Sequence, residues 1–149
     1  MELEAMARET GISYTTENSV EHNQPLVFTS WRSDVDVINA GLDIVCLTSF
    51  NEGTPVSLIE AQAANKPIVS TRVGGISDIV IEGETGLLAD VKEPEIFSDH
   101  VLRLVIDEEL RKKLGAGSRD HVLKKFSYQR LVSDMSSLYY DLLQRKKPS

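Results

Sequence analysis

The sequence contains few of the residues on which specialised protein classes depend. It has one cysteine, Cys46, so an intramolecular disulfide is excluded. Its 16 Lys and Arg residues are outnumbered by 23 Asp and Glu residues, which gives a formal net charge of −7. Because non-specific nucleic-acid binding requires a basic face that displaces counterions, this charge balance argues against nucleic acid as a partner.

Long apolar runs and targeting segments are missing as well. No run approaches the roughly 20 apolar residues of a membrane-spanning helix. The amino terminus lacks the basic, apolar and small-residue layout of a signal peptide. We therefore expect a cytoplasmic protein, whose full-length form can still associate peripherally with a membrane through a partner or a missing part. The three histidines are scattered, with no partners at ligand spacing, so we expect no metal site.

The remaining composition is that of a globular protein. A hydrophobic fraction of 41% and a charged fraction of 26% are ordinary. A chain of 149 residues is long enough for a single domain, residues 1–149, with one core. Cys46 lies in the apolar run DIVCLT, which predicts a buried, inert thiol.

Apolar runs with turn signals between them predict four strands. The strands are expected over residues 25–30, 43–49, 66–72 and 85–90, and the polar stretch 13–24 is expected to be a loop. The strands are nearly continuous apolar runs rather than alternating ones, which is typical of a parallel sheet covered on both faces.

Helices are predicted at the amino terminus, between the strands and throughout the last third of the chain. The earlier helices are expected over residues 2–11, 34–41, 55–64 and 74–83. The later ones are expected to begin near Pro94, Asp107 and Ser127, where a proline or a capping side chain suits a first turn.

This order of elements predicts an α/β fold. We expect a Rossmann-like parallel sheet with helices on both faces and a helical C-terminal third. Such sheets usually have about five or six strands. Since four are predicted and the chain starts on a helix, we expect that part of the fold is missing at the front.

The segment SFNEGTPVSLIEAQAANKP, residues 49–67, is the most informative candidate for a site. Ligands of open α/β sheets bind beyond the carboxyl ends of the strands, and this segment leads from such an end into a helix. Gly53 permits a tight backbone path, and the free amides near Val56 and Ser57 would suit a phosphate or diphosphate. Glu52 and Glu60 flank this helix start, eight positions apart.

The two carboxylates admit three explanations. They could form an acid–base pair, or a clamp that accepts hydrogen bonds from vicinal sugar hydroxyls. They could also be a solvated helix start, because the helix dipole alone favours acidic residues there. Spacing by itself favours the third explanation. Trp31, in the loop after the first strand, is a candidate cover for a flat base or a loop anchor.

From Ser30 to about Ala89 the sequence resembles the C-terminal domain of group 1 (family 4) retaining glycosyltransferases of the GT-B fold. The stretch FTSWRSDVDVINAGLDIVCLTSFNEG is similar to the one that leads to the family's E-x7-E motif, here Glu52 to Glu60 within EGTPVSLIEA. The stretch ANKPIVSTRVGGISDIVIEGETGLL is similar to the family's next segment. The closing segments DEELRKKLG and FSYQRLV also fit the family.

The resemblance implies a role for each matching residue. Glu60 would hold the ribose hydroxyls of the nucleotide, and Glu52, the candidate catalytic residue, would hold hydroxyls of the transferred sugar. Gly53 to Leu58 would line the donor site with backbone groups. The implied donor-binding residues are Glu52, Gly53, Thr54, Pro55, Val56, Ser57, Leu58 and Glu60, with Trp31 and Arg32 beside the base.

The implied reaction moves a hexosyl unit from a nucleotide-sugar to an acceptor hydroxyl with retention, with UDP favoured over GDP. Neither a metal nor another cofactor is expected. The chain would then be an incomplete GT-B C-terminal domain that lacks the acceptor-binding domain and is inactive alone. The alternative is a non-catalytic binding or assembly module completed by a partner chain, to which the apolar face from Leu131 to Leu142 would bind.

Overall fold

The computed structural model describes residues 2–16 and 24–145. The chain divides into two compact units, Met1–Val35 and Asp36–Ser149. The prediction that residues 1–149 form a single domain stays a prediction. In the described part of the chain, no helix is both long enough and apolar enough to cross a membrane.

The first unit contains α1 (Glu2–Glu9) and a parallel pair of short strands, β1 (Tyr14–Thr16) and β2 (Leu26–Phe28). The predicted loop over 13–24 is therefore wrong at its start, because Tyr14–Thr16 is a strand. Its Tyr and Thr side chains suit a strand, and pairing with β2 supplies the backbone hydrogen bonds. The rest of that predicted loop, 17–23, lies outside the described residues.

The second unit alternates helices and strands and then becomes entirely helical. Its elements are α2 (Val35–Gly41), β3 (Val45–Leu47), α3 (Val56–Ala63), β4 (Ile68–Thr71), α4 (Ile76–Ile79), β5 (Gly86–Ala89), α5 (Pro94–Ile106), α6 (Glu108–Ala116), α7 (Ser118–Phe126) and α8 (Tyr128–Arg145).

The sheet of the second unit is parallel, in the order β3-β4-β5. Successive side chains of a strand point to opposite faces. Ile68 therefore packs with Leu58 and Ile76 on one face, whereas Val69 packs with Leu104 and its neighbours on the other. The predicted α/β class, with parallel strands and helices on both faces, is confirmed and matches GT-B C-terminal domains.

The helical third begins where the sequence predicts. Pro94 opens α5, and the Asp107 side chain caps α6 by accepting a hydrogen bond from the Leu110 amide at 2.9 Å. The final helix, α8, differs from its neighbours because none of its residues is buried. Its apolar side chains, predicted to share one face, are exposed in this structure.

The prediction that the Cys46 thiol is buried is wrong. Cys46 lies in the middle of β3 and is exposed. In the described part of the chain, β3 pairs only with β4, so β3 is an edge strand. Partial desolvation nevertheless raises the pKa of the Cys46 thiol, which keeps it protonated at neutral pH.

Candidate functional site

Two loops meet at the carboxyl ends of β3 and β4. The Gly75 amide donates to the Gly53 carbonyl at 3.0 Å and to the Glu52 carbonyl at 3.3 Å. A Cβ atom on Gly74 would lie 1.7 Å from the Glu52 carbonyl oxygen, and one on Gly75 would lie 2.1 Å from that of Gly53. Only glycines allow this approach, so the turn after β4 fixes the backbone of the Glu52 loop.

The amino terminus of α3 presents unsatisfied amides. The amides of Leu58 and Ile59 donate to the Pro55 carbonyl, at 3.2 and 3.4 Å. Pro55 offers no side-chain cap. Within the described residues, the amides of Val56 and Ser57 have no acceptor. Because both residues are exposed, this helix start can accept an anion, as predicted from its place after a strand.

Glu52 is held beside this helix start. Its side chain is half-buried, and its Oε1 atom accepts a hydrogen bond from the Ser49 hydroxyl at 2.6 Å. The Ser49 carbonyl in turn accepts one from the Thr71 hydroxyl at 2.6 Å. The carboxylate is thus tied through the loop to β4.

Glu60 lies on the exposed face of α3, one turn after Val56. Side chains of a helix lean towards its amino terminus, so the Glu60 carboxylate leans over the turn that carries the unsatisfied amides. No hydrogen bond or ion pair joins it to any other residue in the ranges 2–16 and 24–145. Glu60 is therefore available to an external donor.

The other predicted site residues are placed differently. Gly53 and Thr54 are exposed in the loop, whereas Pro55 is buried and the Leu58 side chain is fully buried in the core. The Leu58 side chain belongs to the core, where it packs in one cluster with Ile68 and Ile76. The site is thus assembled from backbone groups and from the side chains of Glu52 and Glu60.

Trp31 and Arg32 lie in the first unit, in the loop after β2. The Trp31 side chain is 90% exposed. Within the first unit, Trp31 therefore does not act as a loop anchor, which would be at least half-buried. Arg32 is paired with Asp34, with Nε to Oδ1 at 2.8 Å. This hydrogen bond holds the pKa of Asp34 below its ordinary value.

Sequence reasoning missed Ser49 and Thr71. Each is a single hydroxyl at the carboxyl end of a predicted strand, and such residues are common there. The available signal was the position of Ser49, three residues before Glu52 in a loop that must fold back on itself. Pairing of β3 with β4 was needed to place Thr71 beside it.

Metal-binding residues do not gather at this site. Within the parts of the chain that the structure describes, no group of three His, Cys, Asp or Glu residues could hold a metal ion. That the reaction needs no metal stays a prediction.

The fold and the carboxyl ends of its strands define the class of the protein: an α/β domain with a parallel sheet, in which a loop leads from β3 to a helix start with unsatisfied amides. The family model described as "Glycosyl transferases group 1" matches residues 4–121. The chain belongs to this family of glycosyltransferases.

Relatives support the same assignment over most of the chain. N-acetyl-alpha-D-glucosaminyl L-malate synthase from Bacillus anthracis is 33% identical over 122 residues, which are 82% of this chain and 32% of that protein. The chain thus spans about a third of the length of this relative.

Solved structures show the same fold. Sucrose-phosphate synthase from Thermosynechococcus elongatus has a TM-score of 0.78 at 22% identity, covering 97% of this chain and 34% of that one. Anabaena HepE, solved in complex with UDP-glucose, has a TM-score of 0.74 at 20% identity, covering 91% and 36%.

Proposed function

We propose that this chain is the donor-binding part of a glycosyltransferase that moves a hexosyl unit from a UDP-sugar to an acceptor hydroxyl with retention. The observation that carries the proposal is the unsatisfied helix start of α3, flanked by Glu52 and Glu60. An anion site between two carboxylates suits a ligand that has both a diphosphate and hydroxyl-rich rings. The UDP-glucose complex of HepE supports this ligand class.

Each group has a role in this proposal. The amides of Val56 and Ser57 bind the diphosphate, assisted by the positive end of the helix dipole. Glu60 accepts hydrogen bonds from the ribose hydroxyls, and Glu52 accepts them from the sugar. Charged acceptors make stronger hydrogen bonds than neutral ones, so both carboxylates contribute to affinity while ionised. Neither carboxylate is assigned a proton-transfer step.

The chain alone is proposed to bind donor weakly and to transfer nothing. It spans about a third of the length of the Bacillus anthracis relative, and we infer that the acceptor domain, together with basic side chains that would neutralise the leaving diphosphate, belongs to other parts of the whole protein. Loss of one electrostatic donor can cost about 100- to 1000-fold in rate. Peripheral membrane association and a cytoplasmic location of the whole protein belong to the same proposal.

Titration of the chain with UDP-glucose, UDP-N-acetylglucosamine and GDP-mannose tests this function. We expect the amide signals of residues 52–60 and of Gly74 and Gly75 to shift in NMR spectra with the UDP-sugars, and free hexose to have no effect. Binding of GDP-mannose alone would correct the choice of base. If no nucleotide-sugar bound, the proposal would be refuted, and robust transfer by the chain would refute its inactivity.

One observation favours a second candidate, a non-catalytic module completed by a partner chain. Along α8, Leu131, Met135, Leu138 and Leu142 are each at least 39% exposed. These residues recur at i, i+4, i+7 and i+11, so they form one apolar stripe that nothing in the described residues covers. Stripes of this kind mark sites of association.

Replacing both Leu131 and Leu138 with Glu tests whether the stripe serves association rather than folding stability. Because neither side chain is buried, we expect the free energy of unfolding to change by about 0.5 kcal/mol or less. Any association with an upstream domain or partner should be lost in size-exclusion chromatography. Ser133 and Tyr140, two exposed residues at the same i, i+7 spacing on the opposite face of α8, provide the matched double control. A cost above about 2 kcal/mol would show that α8 is packed in solution.

A further inference from the structure

The Ser49 side chain forms a hydrogen bond with the Glu52 carboxylate. Its hydroxyl donates to Oε1 at 2.6 Å, within the range of charge-assisted O–H···O⁻ bonds of roughly 2.5–2.7 Å. No hydrogen bond of Oε2 to another described residue is formed. One oxygen of the carboxylate is therefore fixed, and the other is left to accept from a ligand.

Ser49 is itself held in place by the neighbouring strand. Thr71, at the end of β4 and only 7% exposed, donates its hydroxyl to the Ser49 carbonyl at 2.6 Å. One residue earlier, the Ser70 hydroxyl donates to the Leu47 carbonyl at 3.2 Å. Both bonds come from buried side chains of β4, so the start of the Glu52 loop is anchored to the core.

We infer that Ser49 is a positioning residue for Glu52, and that Thr71 supports it through the Ser49 backbone. The inference rests on the proposed function, because it assigns Ser49 to the sugar half of the donor site. Holding the carboxylate in one rotamer before binding removes an entropy cost that the sugar contacts would otherwise bear. Ser49 thus sets the affinity for the transferred sugar without touching the nucleotide.

A purely structural role for Ser49 predicts a different result. If its hydroxyl only stabilised the turn, its loss would lower the free energy of unfolding or weaken nucleotide and nucleotide-sugar binding alike. A positioning role weakens binding only where Glu52 takes part. The ratio of UDP-hexose affinity to UDP affinity therefore distinguishes the two roles.

The test measures this ratio for the whole 149-residue chain and its variants. For Ser49→Ala we expect the affinity for the tighter-binding UDP-hexose to fall about tenfold, the usual size for a lost hydrogen bond to a charged group. The affinity for UDP should stay within about twofold. Ser49→Thr, which keeps the hydroxyl, should restore UDP-hexose binding. Ser136→Ala, which removes a serine hydroxyl from exposed α8, is the matched control.

Thr71→Val tests the second link, since it removes the hydroxyl and keeps the shape of the side chain. We expect a smaller loss of the same selectivity. An unchanged ratio in Ser49→Ala would overturn the inference while leaving the proposed function intact. A wild-type chain that binds UDP and UDP-hexoses equally would also overturn it. A wild-type chain that binds neither would refute the proposed function, and the inference with it.

Discussion

Glu60→Ala is expected to weaken the binding of UDP and of UDP-hexoses by the same factor, at least about 100-fold. The exposed carboxylate of Glu60 leans over the start of α3 and has no partner among the described residues. In the proposed complex it accepts from both ribose hydroxyls, and each hydrogen bond to a charged group contributes about 1.5–3 kcal/mol. Isothermal titration of both ligands measures the change.

Glu52→Ala is expected to weaken UDP-hexose binding while sparing UDP. The two substitutions therefore test whether Glu60 binds the ribose and Glu52 binds the transferred sugar. If the affinity for UDP fell equally in both variants, this assignment of roles would be wrong. Glu108→Ala is the matched control, because Glu108 opens α6 near Asp43 and Pro67, which precede β3 and β4. Its removal also perturbs an acidic helix start but leaves the donor edge of the sheet untouched.

Gly74→Ala is expected to cost about 3 kcal/mol in the free energy of unfolding and to abolish donor binding. Gly74 has φ of +50°, a conformation that costs an L-residue about 1–2 kcal/mol. The added Cβ would also lie 1.7 Å from the Glu52 carbonyl oxygen, which must then move. Overpacking of this kind typically costs about 1–3 kcal/mol. Urea unfolding and a UDP titration give the two readouts.

Substitutions at two further glycines distinguish the cost of the positive φ angle from the cost of the steric overlap. Gly83 has φ of +77° with no atom within 4 Å of an added Cβ, so Gly83→Ala should show the conformational cost alone. Gly117 has neither constraint, with φ of −96° and open space, so Gly117→Ala should be neutral or slightly stabilising. Equal costs at Gly74 and Gly83 would mean that the contact with the Glu52 loop has no energetic weight.

The site was predictable in part because its main signals are local. An apolar strand, a glycine loop and a helix start follow one another within residues 43–64, and this order places Glu52 and Glu60 on either side of unsatisfied amides. Spacing alone left a solvated helix start as the favoured explanation. The resemblance to group 1 glycosyltransferases, with the motifs in the expected order, instead favoured a clamp in which Glu52 and Glu60 bind sugar and ribose hydroxyls. The chain belongs to that family.

The sequence by itself determined the positions of the strands that became β2, β3, β4 and β5, the starts of α5, α6 and α8, and the α/β class. Periodicity, capping chemistry and turn residues act within a few positions of the chain, so they can be read from a linear sequence. The same local signals placed Pro55 in the first turn of a helix, one position before α3 begins, and Asp107 at the start of α6.

Only the tertiary structure decided which residues meet. Tyr14–Thr16 became a strand because β2 lies beside it, and Cys46 is exposed because β3 has one described neighbour. Ser49 and Thr71 are 22 positions apart, and only the parallel pairing of β3 with β4 brings them into hydrogen-bonding distance. Strand pairing and burial depend on partners distant in the chain, and no local pattern encodes them.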